Sequence, residues 1–514
     1  MDATRRQLLK TLTLGAAGVA ASACASHAPP QTEAISHHHI NHWDGEADLL
    51  IVGSGAGAVS AAIDGQRLGL STWMLEREHI AGGSSSISGG VCYLGGGTPL
   101  QKALGFDDSV ESMLGYLIAA SGAYADHAKL QLYCEQSLNH FDWLIDCGVH
   151  YAQKYSDEKE LSIPDGSLYH CGSERAWPYR EQFKPAPRGH VMASQHLTGG
   201  RELMRVLLAR AAQLGARLTV NAEAQQLITA SDGRIIGLRA HINGQAQTLR
   251  ARRAVVLAAG GFIHNRAMLE QYAPELAACS TPWGRSGDVG IGIRMGMAAG
   301  AATRMMHHGF IVTPMYPPET ILRGIAVNAQ GQRFMTEDSY YGIVGHKIAF
   351  EQQGRAWMIT DQNSAYQWKD DRLPIAARAD TLAEIERALA MPEGFLQQTV
   401  HSYNQHAQNG ADPLFHKAAA FIAPLNKPPF IAYDIGTKDA FTPAHTFGGL
   451  HTNTDAQVLD AWGEPIPGLY ASGRTSAGIP VAPYVASGLS IGDGTFFGRR
   501  AAAHAATLQP ITGA

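Results

Sequence analysis

The stretch Asp48-Leu49-Leu50-Ile51-Val52-Gly53-Ser54-Gly55-Ala56-Gly57-Ala58-Val59-Ser60-Ala61-Ala62 runs from an apolar strand through a glycine turn into a helix. Gly53 permits the tight bend, Gly55 lets the backbone approach a phosphate, and small Ala58 stands where the helix must pack closely on the strand. Ala56 and Gly57 open the helix, whose free N–H groups and dipole favour negative charge at that end. A second apolar run, Leu70-Ser71-Thr72-Trp73-Met74-Leu75, ends in Glu76 and Arg77. Glu76 falls about 20 residues beyond the turn, the place of a carboxylate that binds a ribose hydroxyl. The pattern predicts a parallel βαβ unit that holds a dinucleotide.

Working outward, residues 81–90 include Gly82, Gly83, Ser84, Ser85, Ser88, Gly89 and Gly90, too much glycine and serine for a regular element. Hydroxyls and bare N–H groups suit such a loop to a diphosphate chain. Residues 110–147 carry apolar and aromatic residues at helical spacing, which predicts a helical subdomain. Residues 151–189 read as irregular and exposed, or as a loop over the site. A helix from 199 to 214, a strand at 216–220 and hairpins around Asp232-Gly233 and Asn243-Gly244 follow. The run Ala254-Val255-Val256-Leu257-Ala258-Ala259-Gly260-Gly261 reads as a buried parallel strand whose small end touches a ligand.

At 514 residues, 45% hydrophobic and 17% charged, the chain has room for two or three domains with ordinary soluble cores. A net charge of -5 and the lack of a basic run exclude a nucleic-acid partner. Residues 1–25 read as a twin-arginine signal peptide: Thr4-Arg5-Arg6-Gln7-Leu8-Leu9-Lys10, an apolar run at 12–21, then small residues. The expectation is export to the periplasm by the twin-arginine machinery, with the cofactor inserted beforehand. Cys24 is a candidate for lipid anchoring, disfavoured by Ala21. The other cysteines, Cys92, Cys134, Cys147, Cys171 and Cys279, form no CxxC and read as buried thiols. His37-His38-His39 and His42 fall in the polar linker at 26–45, a spacer rather than a metal site.

The order of strands and hairpins, resumed by Gly468-Leu469-Tyr470-Ala471-Ser472-Gly473, resembles the flavoprotein fold shared by fumarate reductases and 3-ketosteroid dehydrogenases. The resemblance implies an α/β protein: a Rossmann-like FAD-binding domain at 46–312 and 435–514, a helical insertion at about 106–195, and an inserted α+β capping (substrate) domain at 313–434. Gly324-Ile325-Ala326-Val327-Asn328, Arg333-Phe334 and Glu337 look like the entry to that cap, and Tyr403-Asn404 and Asp412-Pro413 like its distal half. It implies FAD as cofactor, with Ala224 near the adenine and Gly473, Arg474, Ser490 and Ile491 near the flavin. The 81–90 loop has no histidine, so the expected FAD is non-covalent.

A flavin enzyme that makes or reduces a C=C bond beside a carbonyl moves a hydride at one carbon and a proton at the next, and needs donors for an enolate oxygen. Family members acting on fumarate-like carboxylates carry an arginine four residues after the motif glutamate. Here that position is Tyr341, preceded by Tyr340, and a phenol cannot hold a carboxylate as guanidinium does. Ketosteroid dehydrogenases have a tyrosine there, and a second one four residues before a glycine, whose hydroxyl and N–H bind the keto oxygen. Tyr484 and Gly488 match that spacing, with Ser487 beside them. His445, in Ala444-His445-Thr446-Phe447-Gly448-Gly449, resembles the substrate histidine of the fumarate reductase branch. Tyr116 or Tyr124 is a further candidate phenol.

The resemblance thus implies an FAD-dependent enzyme acting on a CH–CH bond next to the ketone of a bulky, steroid-like substrate, with Tyr340 or Tyr341 moving the proton. The competing expectations are a periplasmic ene reductase for a small unsaturated carboxylate, fumarate- or urocanate-like, and a flavin-binding protein without turnover. Lacking a nicotinamide turn or a haem or iron–sulfur motif, the chain would exchange electrons with a quinone or a redox carrier.

Overall fold

A computed structural model describes residues 33–159, 166–192 and 198–511, so the twin-arginine stretch and Cys24 lie outside the described residues. The strand Gly45–Val52 forms the middle of a nine-stranded sheet. It pairs in parallel with Thr72–Leu75 on one side and with Gln245–Leu257 on the other, Leu49 standing opposite both Thr72 and Ala254. Arg217–Thr219 extends the parallel block past Thr72–Leu75. From the far end of the chain, Pro465–Ala471 joins the C-terminal half of Gln245–Leu257 in parallel, through Val255 and Leu469.

Parallel strands must be covered on both faces. Leu49 and Ile51 enter one apolar cluster and Leu50 and Val52 a second, as the two-residue period of a strand requires. Burying each such side chain stabilises the fold by about 1.5–3 kcal/mol, which makes the quoted stretch the centre of both cores. The helices Ala56–Arg67 and Leu489–Thr507 share the first cluster. Antiparallel strands Ala222–Thr229 and Ile235–Ile242 widen the sheet beyond Gln245–Leu257.

Within the stretch expected as a linker, Ile35–Ser36 adds an edge strand to Ala222–Thr229, and His37–His39 makes a single 3-10 turn. Among the described residues no group of three or more metal-ligating side chains occurs, and the five described cysteines are free thiols, four of them buried.

Residues 325–434 contain a separate antiparallel sheet, ordered Ile325–Asn328, Ala356–Thr360, Phe430–Asp434 and Ile375–Ala379. Helices Leu382–Ala388 and Phe395–Ala407 complete its core with Ile385, Leu396 and Val400. Arg333 and Glu337, the family-like motif, form a buried ion cluster: Arg333 bonds Glu337 at 2.8 Å and Asp412 at 2.9 Å, and Lys417 meets Glu337 at 2.9 Å. Their role is to fasten the turn below the cap sheet.

Helices Val110–Ser121, His127–Glu135 and Ser137–Asp146 fill the region read as helical. Residues 151–189 depart from the exposed-loop reading. Tyr155–Ser156, Leu168–Tyr169 and Gly189–Val191 form a small sheet with Val91–Tyr93. The fully buried Arg188 pairs with Asp108 at 2.6 Å. A guanidinium out of water requires such a partner, and the pair draws this segment inward.

Candidate active site

The glycine turn closes one end of a long cleft between the main sheet and the elements above it. Gly53 has φ +106°, and a Cβ there would lie 2.3 Å from the Ala258 carbonyl oxygen, so no side chain fits. Ser54 Oγ donates to Glu76 Oε2 at 2.5 Å and accepts the Gly82 N–H at 2.9 Å, tying turn, second strand and Gly/Ser loop together. Ser85 Oγ accepts the Ala56 N–H at 3.1 Å, which lays that loop across the helix N-terminus. On the opposite wall Asp288 accepts from Ser84 Oγ at 2.7 Å and Arg474 at 2.6 Å.

Of the residues expected to hold the dinucleotide, Gly53, Gly55, Ala56, Gly57, Glu76, Arg77, Gly83, Ser84, Ser85, Ser88, Gly89, Gly90, Ala224, Ala259, Gly260, Gly473, Arg474, Gly488, Ser490 and Ile491 line this one cleft. Three do not. Ala58 is fully buried under its helix, Gly82 serves Ser54 from behind, and Gly261 abuts Thr446, so close packing explains their small size. Arg474 Nη1, Arg285 Nε, Ser490 Oγ and His445 Nε2 are buried, lack a protein partner and belong to cleft-lining residues. Buried polar atoms are rarely left so. Two guanidinium groups, a hydroxyl and an imidazole suit a bound diphosphate and a polar ring system.

The far end of the cleft is aromatic. Tyr341, Tyr484, His445, Phe310 and Trp283 line it, together with Ser487 and Gly488. Phe310 is the hub, with ring centroids 4.6 Å from Tyr484, 5.2 Å from His445 and 6.0 Å from Tyr341. Tyr341 begins the short helix Tyr341–His346 and Tyr340 is its extended N-cap residue, and their rings pack side by side with centroids 4.2 Å apart. Tyr341 faces the cleft and Tyr340 lies behind it. Their hydroxyls converge on Ser487 Oγ, at 2.6 Å from Tyr341 and 2.8 Å from Tyr340.

Gly488, with φ +96°, caps the helix Leu489–Thr507, and a Cβ there would lie 2.6 Å from the Tyr93 nitrogen. Tyr484 OH accepts the Ser490 N–H at 3.0 Å, satisfying an open donor of the helix's first turn. Burial pushes the Tyr341 hydroxyl above its ordinary pKa, while hydrogen bonds from Ser487 and Tyr340 pull it back. Burial, the neighbouring Tyr341 and Tyr484 and the hydrogen bond to Tyr341 push Tyr340 well up, so the phenolate is more accessible on Tyr341. His445 is pushed well down, by burial first and by Arg474 second, so its ring is neutral.

Neither additional phenol enters the cleft. Tyr116 OH donates to the Val485 carbonyl at 2.7 Å and accepts the Ser173 N–H at 2.8 Å, supporting the loop from beneath. Tyr124 is 45% exposed, with its ring edge-on to His308.

A family model described as an FAD binding domain matches residues 48–486. The chain belongs to this FAD-binding family. It is an FAD-dependent oxidoreductase with a Rossmann-like domain and a capping domain. It is similar to the crystal structure of the 3-ketosteroid-Δ4-(5α)-dehydrogenase from Rhodococcus jostii RHA1 in complex with 4-androstene-3,17-dione, at 39% identity and TM-score 0.87, covering 92% of this chain and 100% of that one. It is 29% identical to the urocanate reductase of Eggerthella lenta, over 90% of this chain and 75% of the relative. It is 26% identical to the 3-oxo-5-alpha-steroid 4-dehydrogenase of Comamonas testosteroni, over 84% and 93%.

Trp283, Arg285, Asp288 and Phe310 line the cleft without having been read from the sequence. The glycines of Trp283-Gly284-Arg285-Ser286-Gly287-Asp288 were the available signal for a turn against a ligand. Phe310 carried none, since its place depends on pairing with His445 across two strands.

Proposed function

We propose that the protein dehydrogenates a 3-ketosteroid beside its ketone, with FAD held non-covalently. The carrying observation is that Tyr341 lines an apolar aromatic chamber opposite Tyr484 and Gly488, its hydroxyl 2.6 Å from Ser487 Oγ. When bound, FAD supplies the hydride-accepting centre. Tyr484 OH and the Gly488 N–H bind the keto oxygen, which acidifies the neighbouring C–H. Tyr341, as its phenolate, takes the proton from that carbon and becomes the neutral phenol; the hydrogen bond from Ser487 Oγ, which Tyr340 shares, stabilises the phenolate before the transfer. Phe310 and Trp283 exclude water and lie against the flat rings of the substrate.

A reductase for a small unsaturated acid is the second reading, favoured by His445 and by the similarity to a urocanate reductase. Against it, Tyr341 occupies the place of the arginine, and the arginines lining the cleft have other partners: Arg77 with Glu223, Arg285 with Ser86, Arg474 with Asp288. The twin-arginine stretch supports export to the periplasm, and electrons then leave to an external quinone or redox carrier.

The test is turnover with a dye acceptor on saturated 3-ketosteroids and, in the reductive direction, on fumarate and urocanate, with products identified by mass spectrometry. Loss of two hydrogens from the ketosteroid supports the reading. Reduction of the acids without steroid turnover rejects it.

A further inference from the structure

Below the aromatic chamber, residues 305–308 make a turn in which Met305 adopts φ +53° and the His308 N–H donates to the Met305 carbonyl at 2.8 Å. His308 is 2% exposed, and its Nδ1 accepts the N–H of Ala482 at 3.1 Å. Ala482 opens the segment that bears Tyr484, Ser487 and Gly488. This amide is buried and the next residue, Pro483, has no N–H to offer, so the segment's approach to the site hangs on an acceptor from elsewhere in the fold. His308 also ties down the other wall: its carbonyl accepts the Phe447 N–H at 2.9 Å. The Phe447 ring in turn lies 4.9 Å from that of Tyr484.

The ring itself is held in place. Tyr124 stands perpendicular to it at 4.4 Å, as does the exposed His307 at the same distance. Burial, followed by His307, His346 and Arg304, pushes the imidazole down to about 3, so it is neutral with Nδ1 free to accept and the proton on Nε2.

We propose that His308 is a positioning residue: by accepting the Ala482 N–H it fixes where Tyr484 and Gly488 stand, and hence how the site grips a carbonyl oxygen. The second half rests on the ketosteroid reading; the first half stands on the fold alone.

The experiment joins backbone hydrogen exchange of the FAD-loaded protein with kinetics. In the wild type the Ala482 amide is expected to exchange at least about 100-fold slower than in a free chain. Fast exchange there overturns the proposal even if no variant folds. His308→Leu keeps apolar bulk but removes the acceptor. It is expected to speed exchange across 482–488 and to lower kcat/KM for a 3-ketosteroid, each by about tenfold, with FAD content unchanged. In His308→Asn, whose amide oxygen can take the place of Nδ1, most of both losses is expected to be recovered. Wild-type-like exchange in the leucine variant, or an asparagine variant as poor as the leucine one, rejects the role. If the wild type turns over no ketosteroid, the substrate reading has failed and the exchange data still decide the positioning claim.

Discussion

Replacing each of the paired tyrosines by phenylalanine separates two roles that adjacency in sequence conceals. Tyr341→Phe removes the hydroxyl that faces the cleft, while Tyr340→Phe removes one that does not line it and bonds Ser487 at 2.8 Å and Tyr341. Loss of a positioned acid–base group costs about 10²–10⁴-fold in rate, equivalent to about 2.7–5.5 kcal/mol of barrier. Loss of one ordinary hydrogen bond costs about 0.5–1.5 kcal/mol, which is at most about tenfold. The expected order is therefore wild type, Tyr340→Phe within about tenfold of it, and Tyr341→Phe at least about tenfold lower still. Both variants should bind FAD as the wild type does, since neither hydroxyl is among the orphaned atoms of the cradle. Anaerobic stopped-flow bleaching of the flavin by a saturated 3-ketosteroid reads the step directly. A Tyr340→Phe variant as slow as Tyr341→Phe, or a Tyr341→Phe variant within threefold of the wild type (about 0.7 kcal/mol), would refute the assignment.

Because burial raises the Tyr341 hydroxyl above its ordinary value, its proton-accepting form gains population as pH rises, and dehydrogenation measured as kcat/KM should climb with pH without levelling below about 10. Arg474→Gln should weaken FAD binding by about tenfold or more, read by fluorescence of released flavin, because a charged donor to the cleft is lost. Glu337→Ala leaves Arg333 and Lys417 buried without their shared carboxylate and should destabilise the protein by about 3–5 kcal/mol in chemical denaturation. Burial pushes His190 from 6.5 to about 4, so the unfolded chain binds a proton the folded one refuses; this residue alone should contribute about 3 kcal/mol to the loss of stability as pH drops from 6.5 to 4, and His190→Gln should reduce the loss by that amount.

The glycine turn and its strands were legible because every signal was local: Gly53, the apolar run before it and Glu76 lie within one βαβ unit, and each acts through its own backbone or reach. Tyr484 and Gly488 were legible only through the family resemblance, whose tyrosine-to-glycine interval they match; by itself a tyrosine there reads as a packing residue. What escaped was long-range. Arg188 buries residues 151–189 through Asp108, 80 positions away, and no window of sequence shows that pairing. The Ser487 bridge and the Asp288 wall likewise arise where separate elements meet. Gly82 and Gly261 show the converse: small residues beside a ligand-binding turn also serve packing, and composition does not separate the two uses, whereas the packing role of Ala58 was legible from its place in the motif.

The central claim is that a phenol-lined chamber, not a guanidinium site, faces the flavin. Anaerobic titration of the purified yellow protein with a saturated 3-ketosteroid tests it most directly. The expected result is bleaching of the flavin in step with formation of the unsaturated ketone. A flavin that stays yellow with every ketosteroid, yet is reoxidised by fumarate or urocanate after chemical reduction, would contradict it.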